Sequence, residues 1–204
     1  MPKRSLRQTL LARRRHSSQH DCLARSLKIQ ERLLLSAVYA AADCIALYSA
    51  VQNEVQTEEI ARQAIVAGKR LVYPRVAGAT LVFESVNALT ELRPGAFGVA
   101  EPTQGAAVDH AAIDLLVVPA VAFDARGHRL GYGKGFYDRA LAACTGRTVA
   151  VGLAYDFQLV TELPIDAHDR AVCAVMTETK TVWFSPSALH ESLCAETWRP
   201  SAPL

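Results

Sequence analysis

Between Phe123 and Asp138 the chain reads FDARGHRLGYGKGFYD, and its chemistry is concentrated in three glycines, Gly131, Gly133 and Gly135, at alternate positions. A glycine has no Cβ, so a run of this kind lets consecutive backbone N–H groups turn toward a single anion. The residues that follow read as a helix, whose first turn adds the positive end of its dipole. Arg129 and Lys134 bracket the bend and bring full charges to the same place. The segment therefore reads as a phosphate cradle. It is not a dinucleotide fingerprint, because Phe136 stands where the third glycine is required. Nor is it a P-loop, because Gly135 follows Lys134 where Ser or Thr would hold magnesium.

Around the cradle stand further groups with chemistry. Asp138 falls in the first helical turn, where a carboxylate can complement the dipole or equally hold the magnesium of a nucleoside triphosphate. Phe136 and Tyr137 could stack on a flat ring, although aromatics at a helix start are more often core. Far away in sequence, Lys3 and Arg7 share one side of a helix at i and i+4, beside Leu6 and Leu10. From there two cations could reach an anionic ligand. Residues 13–15, three arginines in a row, read as a solvated helix face.

The elements that must position these groups follow from periodicity. Residues 3–16 and 21–42 read as helices, with Leu23, Leu27, Leu34 and Val38 as the apolar stripe of the second. Residues 44–49, CIALYS, have the length and composition of a buried strand. Thr57 with Glu58 and Glu59 marks a helix start, Gly68 its end, and residues 70–73 the next strand. Residues 81–86 read as a strand, 93–105 as a loop, and 113–119, IDLLVVP, as the clearest buried strand. A loop over 120–132, a helix over 134–144 and a strand over 148–153 come next, followed by turn-rich residues 160–171 and short strands at 172–176 and 181–184. Such alternation specifies an α/β fold with a mostly parallel, Rossmann-like sheet in three α/β/α layers. Its ligands bind outside the carboxyl ends of the strands. One domain over 1–184 and a tail over 185–204 is the expected division. The loop after Pro119 exceeds the usual two to six residues of a strand-to-helix connection, and long ordered loops are usually functional.

Composition bounds the setting. In 204 residues, 50% are hydrophobic and 21% charged, which describes a globular chain that can bury a core without staples. The five cysteines are odd in number, with no CxxC pair, which argues against a disulfide framework or a zinc site and favours a reducing cytoplasm. No apolar run has the roughly 18–20 residues needed to span a bilayer. The net charge of +2 conceals a basic start, since Lys3, Arg4, Arg7, Arg13, Arg14 and Arg15 precede the first acid, Asp21. Such a start is compatible with a targeting segment or a nucleic-acid arm, though no aromatic-studded basic face continues it.

The run RLGYGKGFYDRAL at 129–141, preceded by LLVVPAVAFDARGH, resembles the 5-formyltetrahydrofolate cyclo-ligase family, also called methenyltetrahydrofolate synthetase. KRSLR at 3–7, NEVQTEEI at 53–60 and RPGAFGVAEP at 93–102 agree with it in the same order. The resemblance implies a cytoplasmic, ATP- and magnesium-dependent ligase that converts 5-formyltetrahydrofolate to 5,10-methenyltetrahydrofolate with release of ADP and phosphate. Its partners are then small molecules, ATP and a reduced folate, with no nucleic acid and no membrane, in a monomer or weak homo-oligomer. By position it assigns ATP to Lys3, Arg4, Ser5, Leu6 and Arg7 and to Arg129, Leu130, Gly131, Tyr132, Gly133, Lys134, Gly135, Phe136 and Tyr137. The reduced folate falls to Ser49, Glu54, Tyr132, Gly133, Lys134, Gly135 and Phe136, and magnesium to Asp138. Catalysis falls to Lys134, Arg129 and Tyr137.

One departure stands out. The family pattern places a second magnesium-associated aspartate a few residues after a His-Asp pair, and here His168 and Asp169 are followed by Cys173 in that place. A thiol is a poor ligand for a hard, oxygen-seeking ion, which leaves the metal to Asp138, phosphates and water. On that alignment Cys173→Asp is expected to preserve or improve activity. The rival readings are a relative that keeps the ATP loop but acts on another substrate, and a non-catalytic nucleic-acid-binding module.

Overall fold

The computed structural model describes residues 2–144 and 146–184; the tail over 185–204, with Cys194, lies outside the described residues. Helices α1 (Lys3–His16), α2 (Gln19–Leu34) and α3 (Ala37–Ala41) precede strand β1 (Cys44–Ala46). Helix α4 (Glu58–Val66) and strands β2 (Arg70–Ala77), β3 (Thr80–Ser85), β4 (Leu92–Pro94), β5 (Ala100–Pro102), β6 (Ala107–Val108) and β7 (Leu115–Val118) come next. Then follow β8 (Ala122–Phe123), β9 (Arg129–Leu130), α5 (Phe136–Ala143), β10 (Val149–Leu153), β11 (Ala174–Met176) and β12 (Thr181–Trp183).

Eight strands form one sheet in the order β12-β11-β10-β7-β1-β2-β3-β6. Neighbours from β11 through β10, β7 and β1 to β2 pair parallel. The strands β12, β3 and β6 pair antiparallel at the two edges. The pleat sorts side chains between two apolar layers. Ile45, Leu71, Leu115, Val117, Val149 and Val151 share one cluster with Ile29 and Leu33 of α2 and Ile60 and Ala64 of α4. Ala46, Val72, Leu116, Val118 and Ala150 share the other with Ala140 of α5. The fold is therefore the expected α/β arrangement with helices on both faces, each fully buried aliphatic side chain contributing about 1.5–3 kcal/mol. Helix α1 belongs to neither face. Its Leu10 packs with Val121, Ala122, Leu130 and Leu163, over the loops that follow β7 and β10.

Several boundaries and faces differ from the sequence reading. The second helix divides at Leu35 and Ser36, because Ser36 Oγ accepts from Tyr39 N and starts a new helix. Leu23 and Leu27 are not its inner stripe; they are 44% and 46% exposed. Cys22, Ser26, Ile29, Gln30 and Leu33 face inward instead. Thr57 precedes α4 without capping it, since its hydroxyl donates to Tyr48 O. Gln30 Oε1 from α2 accepts from Glu59 N and Ile60 N and takes over that task. The loop over 93–105 contains the β4–β5 hairpin, and that over 120–132 contains the β8–β9 hairpin. Helix α5 begins at Phe136 rather than at 134, because Gly135 is left-handed at φ +65°.

Candidate functional site

Strands β1 and β7 are parallel neighbours, and the chain beyond each one lines a cleft of about 440 Å³. Tyr48 and Ser49 follow β1 there, Pro119 follows β7, and the glycine-rich bend at 131–135 forms one wall. The cleft lies outside the carboxyl ends of the strands, where parallel sheets bind ligands.

The bend has the backbone that the sequence suggested. Gly133 and Gly135 take φ of +96° and +65°, conformations that side chains rarely adopt. A Cβ at Gly131 would meet nothing within 4 Å, so open space faces it. Arg7 Nε donates to Gly131 O at 2.8 Å, which fastens α1 to the bend and keeps a cation beneath it. Lys134 is exposed, and its ammonium stands 5.6 Å from the Phe97 ring centroid, with no carboxylate partner among the described residues. A free ammonium, a tethered guanidinium and an open glycine turn suit a polyphosphate.

Of residues 3–7, only Lys3 and Arg7 line the cleft. Arg4 is exposed, and Leu6 packs with the Leu10 cluster. Lys3 Nζ lies 2.6 Å from Asp166 Oδ2 and 2.9 Å from Asp169 Oδ2. Partial burial disfavours the Lys3 ammonium, yet the hydrogen bonds to Asp166 and Asp169 outweigh it and raise its pKa. Arg129, whose side chain is almost wholly covered, pairs with Asp138 Oδ1 at 2.8 Å and donates to Arg170 O at 2.8 Å. Burial pushes the Arg129 guanidinium down, against the pull of Asp138. Asp138 Oδ1 also accepts from Arg170 N at 3.2 Å. Asp166, His168 and Asp169 place one ligand atom each within 4.8 Å of one another at the cleft rim. These carboxylates, with Asp138, are the oxygen donors a magnesium ion would meet.

Residues 51–54 add a further part of the lining. Gln52 and Asn53 are left-handed, at φ 50° and 59°, and turn the chain so that Glu54 points inward. Glu54 is 5% exposed. Its Oε2 accepts from Val51 N at 3.1 Å and its Oε1 from the Tyr132 hydroxyl at 2.9 Å. Burial pushes the Glu54 carboxyl up, opposed first by Arg14 and then by these two hydrogen bonds. Tyr132 and Tyr137 are held protonated by burial, Tyr132 with its pKa pushed up to about 12. Ser49 Oγ donates to Ala100 O at 2.6 Å, which ties the end of β1 to the β5 strand.

Among the residues that the sequence reading missed are Arg14, which lies beneath the cleft, and Phe97, which lines it. Arg14 is 1% exposed, so the solvated-face expectation fails for it, although Arg13 and Arg15 are exposed. Its signal was present: Lys3, Arg7 and Arg14 stand at i, i+4 and i+11, which lie on one side of a helix. Phe97 is 69% exposed at φ 57°, lines the cleft, and lies 6.2 Å from the Phe136 ring. Cys173, by contrast, does not line the cleft. It packs against both apolar clusters, and burial pushes its thiol up.

The chain is similar to known proteins over most of its length. Residues 1–178 match the model of the 5-formyltetrahydrofolate cyclo-ligase family. The 5-formyltetrahydrofolate cyclo-ligase of Mus musculus is 29% identical over 189 residues, covering 86% of this chain and 93% of its own. That of Escherichia coli K12 is 34% identical over 148 residues, covering 70% and 81%. The solved 5,10-methenyltetrahydrofolate synthetase of Aquifex aeolicus superposes with a TM-score of 0.81 at 34% identity, covering 90% of this chain and 93% of that one. A synthetase from Mycoplasma pneumoniae gives 0.73 at 25% identity, covering 87% and 99%. The glycine bend with its exposed lysine and the buried glutamate, which line one cleft of a mostly parallel sheet, thus occur in a chain that belongs to the 5-formyltetrahydrofolate cyclo-ligase family of enzymes.

Proposed function

We propose that the protein binds ATP and 5-formyltetrahydrofolate in this cleft and closes the folate to 5,10-methenyltetrahydrofolate, releasing ADP and phosphate. One observation carries the reading: the anion-holding bend at 131–135 and the carboxylate of Glu54 line the same cavity. A phosphoryl donor and a donor-rich pterin edge would therefore meet side by side. A formamide resists attack because resonance feeds its carbonyl, the effect that gives an amide its rotational barrier of about 18–20 kcal/mol. ATP supplies the phosphoryl group that turns the formyl oxygen into a leaving group, and magnesium supplies charge neutralisation among the phosphates.

The chain's own residues bind and orient. Backbone N–H groups at 131–135, Lys134 and Arg7 hold the phosphates and oppose the charge that develops on them, the main task in phosphoryl transfer. Lys3 belongs to the same wall and exchanges its carboxylate partners for phosphate oxygens. Glu54 accepts from the pterin edge, and Phe97, Phe136 and Tyr132 supply flat surface on either side. Asp138 and the Asp166/Asp169 pair are the oxygen ligands available to the metal, with Asp138 oriented by Arg129. The cytoplasm is the compartment that an odd number of cysteines without a CxxC pair favours.

The direct test mixes the protein with Mg-ATP and 5-formyltetrahydrofolate and follows the near-ultraviolet absorbance of the methenyl product. Stimulation of ADP release by 5-formyltetrahydrofolate, and not by other formyl compounds, supports the reading. Stimulation by a different formyl compound alone would assign the cleft to another substrate.

A further inference from the structure

We propose that Arg14 is a positioning residue for the reaction: sunk beneath the cleft, its guanidinium orients the Glu54 carboxylate and links it through Tyr132 to the phosphate-holding bend. The proposal rests on the folate reading of the cleft. Nε of Arg14 donates to Gln52 O at 2.9 Å, Nη1 to Ala120 O at 3.3 Å, and Nη2 to the Tyr132 hydroxyl. The same Nη2 stands 3.6 Å from Glu54 Oε1. One side chain thus touches the turn that carries Glu54, the chain beyond β7, and the bend itself. The turn answers the helix, because Asn53 Nδ2 donates to Arg14 O and Ser17 O at 3.1 Å each.

The donor geometry also divides the labour at Glu54. The Tyr132 hydroxyl accepts from Arg14 and donates to Oε1, while Oε2 takes only the Val51 N–H among the described hydrogen bonds. Each carboxylate oxygen has two lone pairs, so Oε2 keeps acceptor capacity for a ligand's donor. Only an ionised carboxylate offers it without competition from its own proton. The groups facing Glu54 are Arg14 from α1, Tyr132 from the bend, Tyr48 beyond β1 and Tyr137 from α5. Tyr155 reaches only its carbonyl, at 3.4 Å. Among these Arg14 is the cation, and a guanidinium supplies three directed bonds that an ammonium cannot reproduce.

The test combines carboxyl 13C NMR of glutamate-labelled protein with kinetics at varied pH, in the wild type and in Arg14→Gln, Arg14→Lys and Tyr132→Phe. The Glu54 signal is assigned by its loss in Glu54→Gln. Without Arg14, burial of Glu54 is less opposed, so its titration should move upward in Arg14→Gln and less in Arg14→Lys. The acid limb of kcat/KM for 5-formyltetrahydrofolate should move with it, since protonation removes the required form. At neutral pH the folate KM should rise about tenfold or more in Arg14→Gln, with the ATP KM changed less than about twofold. Tyr132→Phe should raise the folate KM in the same direction by a smaller factor. If Arg14→Gln does not fold, Arg14→Lys and Tyr132→Phe carry the same readouts. An unmoved Glu54 titration, or equal losses toward both substrates with an unmoved limb, would overturn the proposal. A wild type with no folate turnover would defeat the folate reading instead, while the NMR arm would still decide whether Arg14 governs Glu54.

Discussion

Arg129 Nη2 and Asp138 Oδ1 lie 2.8 Å apart, with the arginine side chain almost wholly covered, so the strand before the glycine bend is bonded to the helix after it. The bend between them is thereby held at both ends. Removing one partner of a buried pair leaves a charge without compensation, at about 3–5 kcal/mol. Asp138→Ala should therefore lower the thermal midpoint clearly, while Asp138→Asn, which keeps an acceptor for Arg129, should lower it less. If Asp138 also serves the metal, both variants should raise the magnesium concentration needed for half-maximal rate.

Lys134 offers the opposite case. Its ammonium is exposed and makes no ion pair among the described residues, so Lys134→Ala should change stability by no more than about 0.5 kcal/mol. Turnover should nevertheless fall about 100-fold or more, the usual loss when a transition-state charge loses its partner. Chemical denaturation and steady-state kinetics on the same preparation check both halves. A fully active variant would remove Lys134 from the account.

Phe97 sits at φ 57° with 69% of its surface exposed, a conformation that disfavours any side chain by about 1–2 kcal/mol. Phe97→Gly should therefore stabilise the fold slightly or leave it unchanged. It should also weaken folate binding by roughly three- to tenfold, the loss of one aromatic contact of about 0.5–1.5 kcal/mol. Equilibrium unfolding and the folate KM measure the two effects. A drop in stability with unaltered KM would mean that Phe97 serves the loop rather than the ligand.

For Cys173 the structure reverses the outcome expected from sequence. The side chain packs against Val172, Val175 and their apolar neighbours rather than lining the cleft. Cys173→Asp should then place a carboxylate in a half-buried, apolar setting and destabilise the protein by about 1–3 kcal/mol, with no reduction in the magnesium requirement. Thermal unfolding and a magnesium titration of the rate decide the point.

The features legible in sequence were those with a strong local cause. IDLLVVP reads as a buried strand and alternate glycines lead into a helix; the strand stands within the expected residues and the helix begins two residues later than expected. Two of the failures share a cause of another kind, which is polar groups satisfied from a distance. The inner face of α2 was misread because it carries Ser26 and Gln30. Their oxygens accept from Gln56 N, Glu59 N and Ile60 N, more than twenty residues away in the chain. Arg14 reads as a solvated charge because it stands between two other arginines, whereas the carbonyls that receive it belong to Gln52 and Ala120. Cys173 was placed by its spacing from His168 and Asp169, but spacing in a turn-rich segment does not determine which side chains face the cleft. The β4–β5 and β8–β9 hairpins involve strands too short to show a period.

The most direct measurement is a crystal structure with a non-hydrolysable ATP analogue, magnesium and 5-formyltetrahydrofolate bound together. The account predicts phosphate oxygens on the backbone N–H groups at 131–135 with Lys134 beside them, and the pterin edge on Glu54 across the cleft. A nucleotide bound elsewhere on the molecule, with this bend vacant, would contradict it.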